Sequence, residues 1–182
     1  YITQSTLSIL PEDYEGTQDS SDYWNYVDYQ YRYYVDTYDN DGNLVKSGEI
    51  AYSGEDSFGF YIISALMNDN CNIICCSYDS IYELNSDGEI LSQIPLNGGY
   101  VDSIIKLPDG RIATSFSENG GTYTANVVDT EKGVLVPISE ELPGDAYRIY
   151  PGSDEYDFYY SGGSALFGYK LADKKTERLF NW

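Results

Sequence analysis

The stretch Ile81-Tyr82-Glu83-Leu84-Asn85-Ser86-Asp87-Gly88, followed by the apolar-rich run Glu89 to Ile94, reads as a strand, a turn and a second strand. Asn, Asp and Gly are the residues that tolerate the positive φ such a turn needs. The same pattern returns three times. Tyr34 to Gly42 leads into Leu44 to Ile50, Asn126 to Gly133 into Val134 to Ile138, and Gly168 to Lys175 into Glu177 to Phe180. Aligned on Asp39, Asn85, Asp129 and Ala172, the copies lie 46, 44 and 43 residues apart.

A second class of turn falls between these hairpins. Asn68-Asp69-Asn70 separates Tyr61–Leu66 from Asn72–Cys76. Pro108-Asp109-Gly110 separates Val101–Leu107 from Arg111–Phe116, and Gly152-Ser153-Asp154 separates Asp145–Tyr150 from Glu155–Tyr160. Each complete unit is therefore expected to hold four strands. Four strands repeating at this period, apolar on both faces, are the pattern of propeller blades that cover one another. The expected fold is all-β and β-propeller-like, one domain over 1–182 with about four four-stranded antiparallel blades at 1–50, 51–96, 97–140 and 141–182. A β-sandwich is the alternative, although it gives no reason for a constant step. The first unit is the least regular, with Tyr1–Leu10 and Tyr23–Tyr31 as its first two strands and the acidic stretch Pro11–Asp22 as a loop. The abrupt opening at Tyr1, with no Met or leader, and the ending at Trp182 suit a partial propeller cut from a longer polypeptide better than a small closed ring.

Charge narrows the partners. Thirty acidic residues against 10 basic ones, with no His, give a formal charge of -20, which repels phosphate backbones and anionic membrane surfaces. Nucleic acid is not an expected partner. No run approaches the ~20 apolar residues that span a bilayer, so any anchor is expected on a segment preceding Tyr1. Without His, a Ser-His-Asp or Cys-His nucleophile is excluded in its usual form. Cys71, Cys75 and Cys76 read as small buried hydrophobes on an inner strand. Cys71 and Cys75 would stand ~13 Å apart on a strand, too far for a disulfide. No cofactor and no metal is expected. Asp39-Asn40-Asp41-Gly42-Asn43 resembles a calcium loop, but with Gly42 in the glycine position the first and twelfth positions become Thr37 and Gly48, so a hairpin turn explains it better.

The candidate binding residues are Trp24, Tyr26, Tyr29, Tyr31 and Asp28, within the aromatic-dense segment Tyr23 to Tyr34. Tyr offers a flat apolar face and a polar tip, which suits sugar rings or a protein surface; packing between sheets is the competing use of the same residues. Paired carboxylates of a glycan-active enzyme are the alternative function, requiring two acids to face each other across a cleft.

Three segments, Ile81 to Gly88, Leu107-Pro108-Asp109-Gly110-Arg111-Ile112 and Leu166 to Leu171, resemble blades of bacterial quinoprotein-like or WD40-like propellers. Tyr159-Tyr160, then Leu166-Phe167-Gly168-Tyr169 and the closing Leu179-Phe180-Asn181-Trp182, resemble a propeller-like region of Clostridia-type lipoproteins that precedes an extracellular solute-binding domain of an ABC importer. The resemblance implies a non-catalytic binding or scaffolding module on the surface of a Gram-positive bacterium, with a protein or glycan ligand.

Overall fold

The computed structural model describes residues 1–12, 14, 16, 27–52, 60–138, 142 and 145–182. Every regular element among them is a β-strand, and all pairings are antiparallel between strands consecutive in sequence. The strands form four separate open sheets, one of three strands and three of four. No helix among the described residues is long and apolar enough to cross a membrane. The chain divides into two compact units, Tyr1–Gly59 with Ser86–Glu89, and Phe60–Asn85 with Ile90–Trp182.

The first unit carries β1 (Ile2–Ile9), β2 (Asp28–Tyr38) and β3 (Leu44–Glu49) in that spatial order. Two expectations are corrected here. The strand expected over Tyr23–Tyr31 does not end at Tyr31, because β2 runs unbroken from Asp28 to Tyr38; Tyr23–Tyr26 lie outside the described residues. Tyr31-Arg32-Tyr33-Tyr34-Val35 contains no residue that would turn the chain. Among the described residues the sheet consequently has three strands, and β1 pairs directly with β2, Ile2 opposite Val35 and Ile9 opposite Asp28. Most of the acidic stretch Pro11–Asp22 lies outside the described residues.

Asp36, at the middle strand of this sheet, ties all three together. Its carboxylate accepts from Ser47 Oγ on β3 at 2.5 Å and from Thr3 Oγ1 on β1 at 2.6 Å. Those two hydroxyls hold the carboxyl below its ordinary range, Ser47 contributing most. A depressed folded-state pKa stabilises the fold above the unfolded value of ~3.9 and ceases to do so as pH falls through the folded value. Protonation of the other acids also relieves self-repulsion, so the comparison that isolates Asp36 is with Asp36→Asn. In urea unfolding the wild type is expected to exceed this variant by a constant margin above about pH 5, shrinking once pH falls below the unfolded value of ~3.9. A margin independent of pH would contradict the assignment.

The second unit contains three meanders. The first is β4 (Ser64–Met67), β5 (Ile73–Cys76), β6 (Ser80–Leu84) and β7 (Ile90–Pro95). The second is β8 (Tyr100–Lys106), β9 (Ile112–Ser117), β10 (Tyr123–Asp129) and β11 (Val134–Pro137). The third is β12 (Arg148–Pro151), β13 (Phe158–Gly162), β14 (Ala165–Lys170) and β15 (Lys175–Asn181). Neighbouring sheets meet chiefly through their first strands, β4 against β8 and β8 against β12.

The middle meander is apolar on both faces. Ile104, Ile112 and Val128 join a cluster with Ile74, Ile81 and Ile94 of the first meander. Their neighbours Ile105, Ala113 and Val127 join Ile149, Phe158, Tyr160 and Phe167 of the third. The period-two alternation of a strand thus supplies both clusters from one sheet.

One turn geometry recurs at 39–43, 68–72 and 107–111. The first residue's amide donates to the fifth residue's carbonyl (3.0, 2.9 and 2.8 Å), and the fourth residue's amide donates to the first residue's carbonyl (3.1, 3.1 and 3.0 Å). The fourth residue takes positive φ: Gly42 at 84°, Cys71 at 61° and Gly110 at 87°. The Asp39 carboxylate accepts from the amides of Asp41 and Asn43 at 2.9 and 2.8 Å, so its Oδ1 is committed to the turn itself.

Cys71 corrects a further expectation: it is exposed and in a turn, while Cys75 and Cys76 are buried on β5. Burial pushes the Cys76 thiol to about 12 and Cys75 higher still, as befits inert core side chains. Since an L-residue at positive φ costs about 1–2 kcal/mol, Cys71→Gly is expected to stabilise the second unit by about 1 kcal/mol in urea unfolding. A destabilised variant would show that the thiol contributes packing that its exposure does not suggest.

Candidate functional site

Of the residues singled out in the sequence, Trp24 and Tyr26 lie outside the described residues. Asp28 and Tyr29 open β2, opposite Ile9 and Ser8, and Tyr31 follows opposite Thr6. Tyr31 is 36% exposed, whereas Tyr33 and Val35, on the same face two and four residues on, are buried. Tyr33 is therefore a packing residue.

A second aromatic group comes from the meander topology of the second unit. In such a sheet the start of the first strand and the link between the second and third strands lie at the same end. Tyr61 precedes β4 and Tyr78 lies between β5 and β6; their rings stack with centroids 5.1 Å apart and an interplanar angle of 14°. Tyr100 begins β8, Tyr123 begins β10 and Tyr147 immediately precedes β12. Tyr123 and Tyr147 meet edge to face at 5.0 Å and 80°, joining two neighbouring sheets. Tyr61, Tyr78, Tyr100 and Tyr147 are 53%, 57%, 53% and 49% exposed, which core packing does not require of them.

Local sequence fixes these positions. Leu96-Asn97-Gly98-Gly99 and Glu118-Asn119-Gly120-Gly121 form the same tight turn, closed by the fourth residue's amide on the first residue's carbonyl at 2.8 and 2.9 Å. Both central residues have positive φ, 50° and 84° in one, 50° and 74° in the other, the preference of an Asn-Gly pair. The turns deliver the chain to Tyr100 and to Tyr123.

Between the tyrosines lies a polar seam. The β8–β9 register shifts between Val101 and Ile104, and such a bulge redirects side chains. Here Asp102 accepts a forked pair from Arg148 of β12, Nε at 2.6 Å and Nη2 at 3.1 Å. Ser103 Oγ accepts the Ile149 amide at 3.0 Å. The Asp145 carboxylate accepts the Tyr123 amide at 2.5 Å. Asp102 raises the Arg148 pKa through these hydrogen bonds, and burial, followed by the nearby Tyr147 and Asp102, raises that of Tyr123. The Tyr123 phenol therefore remains a neutral hydrogen-bond donor at physiological pH.

The chemistry on offer is recognition: apolar ring faces, phenolic hydroxyls and two carboxylates already held by a guanidinium and an amide. Among the described residues no group of three or more His, Cys, Asp or Glu side chains is arranged to hold a metal ion. No protein-family model matches the chain, and no curated protein does either. Density drew attention to Tyr23–Tyr34 in the sequence. The signal for the second group was positional: a tyrosine at the start of each first strand, Tyr61, Tyr100 and Tyr147, visible when the repeats are aligned there rather than at their turns.

Proposed function

We propose that this chain is a non-catalytic extracellular module of propeller-like blades that binds a glycan through tyrosines at one end of its sheets. The observation that carries the reading is the recurrence of exposed tyrosine at the first-strand end of all three meanders in the second unit. Aromatic faces flanked by fixed hydrogen-bonding groups suit the alternating apolar and hydroxyl surfaces of a sugar ring. The blade reading draws support from the middle meander, covered on both faces; a two-layer sandwich leaves one face of each sheet in water. The sequence resemblance adds a setting, the surface of a Gram-positive bacterium as part of a solute-binding lipoprotein.

The test is a glycan array probed with the wild type, a Tyr100→Ala/Tyr147→Ala double variant and a Trp24→Ala/Tyr26→Ala double variant. The wild type is expected to retain a defined set of glycans, and the first variant to lose at least about tenfold in affinity while keeping its circular dichroism. Loss confined to the second variant would move the ligand to the first unit. Absence of any glycan binding would overturn the reading.

A further inference from the structure

A cavity of about 360 Å³ opens at the opposite, turn-bearing end of the second and third meanders of the second unit. Its walls include Val136 and Ile138 at the end of β11 and Leu171 beyond β14. Around it stand Arg111, Lys132 and Lys174, with Asp129 as the one lining acid among the described residues. Three of the chain's 10 cationic residues thus surround one cavity on a molecule whose formal charge is -20. Arg111 is held by Asp109, Nη2 to Oδ2 at 2.5 Å, and Lys132 by Asp129 at 2.7 Å. Lys174 has no ion-pair partner among the described residues.

Two further features point to a ligand. Tyr169, also in the cavity wall, is 1% exposed, yet its hydroxyl has no hydrogen-bond partner among the described residues. A buried hydroxyl left unpaired is costly unless something supplies its partner. Lys174 sits in the β14–β15 turn at φ 50°, whereas the positive-φ residue of the other three hairpins of this class is Gly42, Gly88 or Gly133. Glycine is the easier choice at that conformation, so a lysine there is retained at a conformational cost that the turn does not explain.

We infer that this cavity binds a small organic oxyanion, a carboxylate or a phosphate on an apolar body. Its head is held by Lys174 and the Tyr169 hydroxyl, with Lys132 and Arg111 beside it, and its body lies against Val136, Ile138 and Leu171. The size lies within the range of small-molecule sites, which are largely apolar with a few placed polar groups. The charged head gives the hydroxyl an acceptor and the free ammonium a counter-charge.

The two informative substitutions separate binding from folding. Lys174→Gly relieves the backbone and Tyr169→Phe removes the unpaired hydroxyl while keeping the ring. Each variant is expected to be at least as stable as the wild type in the absence of ligand. Benzoate, phenyl phosphate and neutral benzyl alcohol are titrated into the full chain, following the backbone amides of Val136, Leu171 and Lys174 by NMR. Saturable shifts with either anion, weakened at least about tenfold in both variants, support the site, and the tighter anion names the head group. The inference is overturned if benzyl alcohol binds as tightly as the anions, if both variants bind like the wild type, or if neither anion approaches saturation by about 10 mM.

Discussion

Phe158→Ala is expected to destabilise the second unit by about 3–5 kcal/mol. Phe158 is fully buried, and its ring lies 5.0 Å from that of Tyr169 and 6.3 Å from that of Tyr160. The cluster around it includes Ala113 and Ala125 from β9 and β10, with Ala146 and Ala165 from the third meander's own segment. Large rings on one sheet are therefore matched by small residues on the next. Alanines cannot swing into the space a missing ring would leave, so the cavity remains and the cost sits toward the upper end of the range for such changes. Urea unfolding followed by far-ultraviolet circular dichroism measures it. A loss below about 1 kcal/mol would place Phe158 at a loosely packed edge instead of between two sheets.

Gly152→Ala is expected to cost about 3 kcal/mol, for a different reason. A Cβ at Gly152 would come within 2.1 Å of the Tyr156 carbonyl oxygen and 2.3 Å of that of Asp157. These are backbone atoms, and they are fixed. The Ser153 amide donates to the Tyr156 carbonyl at 2.9 Å, and the Asp157 amide donates to the Tyr169 carbonyl at 2.9 Å, tying the loop to β14. Tyr156 cannot retreat either, since its ring covers Gly168, where an added Cβ would meet it at 2.4 Å. Gly133→Ala is the control. Gly133 has positive φ but nothing within 4 Å of an added Cβ, so only the conformational cost of about 1 kcal/mol remains. Equal losses at the two positions would contradict the steric account.

The strand pattern was legible wherever turn chemistry punctuated it. Asn68-Asp69-Asn70 and Pro108-Asp109-Gly110 mark hairpins that the structure closes with one hydrogen-bond scheme. The hairpins closed by Gly42, Gly88, Gly133 and Lys174 lie 46, 45 and 41 residues apart, so the step of 43–46 residues read from the sequence is kept in the first two intervals and shortens in the last. The first sheet departed from the repeat because no turn residue interrupts Tyr31 to Val35, so a strand expected to end ran on. Cys71 was misplaced for the converse reason: a cysteine does not advertise positive φ, although its turn is the one in which glycine serves elsewhere. Strand starts in the third meander were read early, Asp145 against the observed Arg148 and Glu155 against Phe158, since polar residues next to a strand carry no boundary signal.

The candidate site was less legible because exposure is a tertiary property. Tyr33 and Tyr100 are the same residue type on strands, one buried and one half-exposed. The bulge that turns Asp102 and Ser103 toward Arg148 and Ile149 has no glycine to announce it. Likewise Tyr169 and Lys174 look unremarkable in the sequence; only the unpaired hydroxyl and the positive φ single them out.

The stacking of the three meanders is the claim on which both sites depend, and methyl-to-aromatic NOE measurements on the full chain test it most directly. The account predicts NOEs from Ile105 and Ala113 to rings of the β12–β15 sheet, together with NOEs from Ile104 and Ile112 to methyls of Ile74 and Ile81. Contacts from only one of these two sets would leave the β8–β11 sheet with a bare face, as in a two-layer sandwich, and would contradict the account.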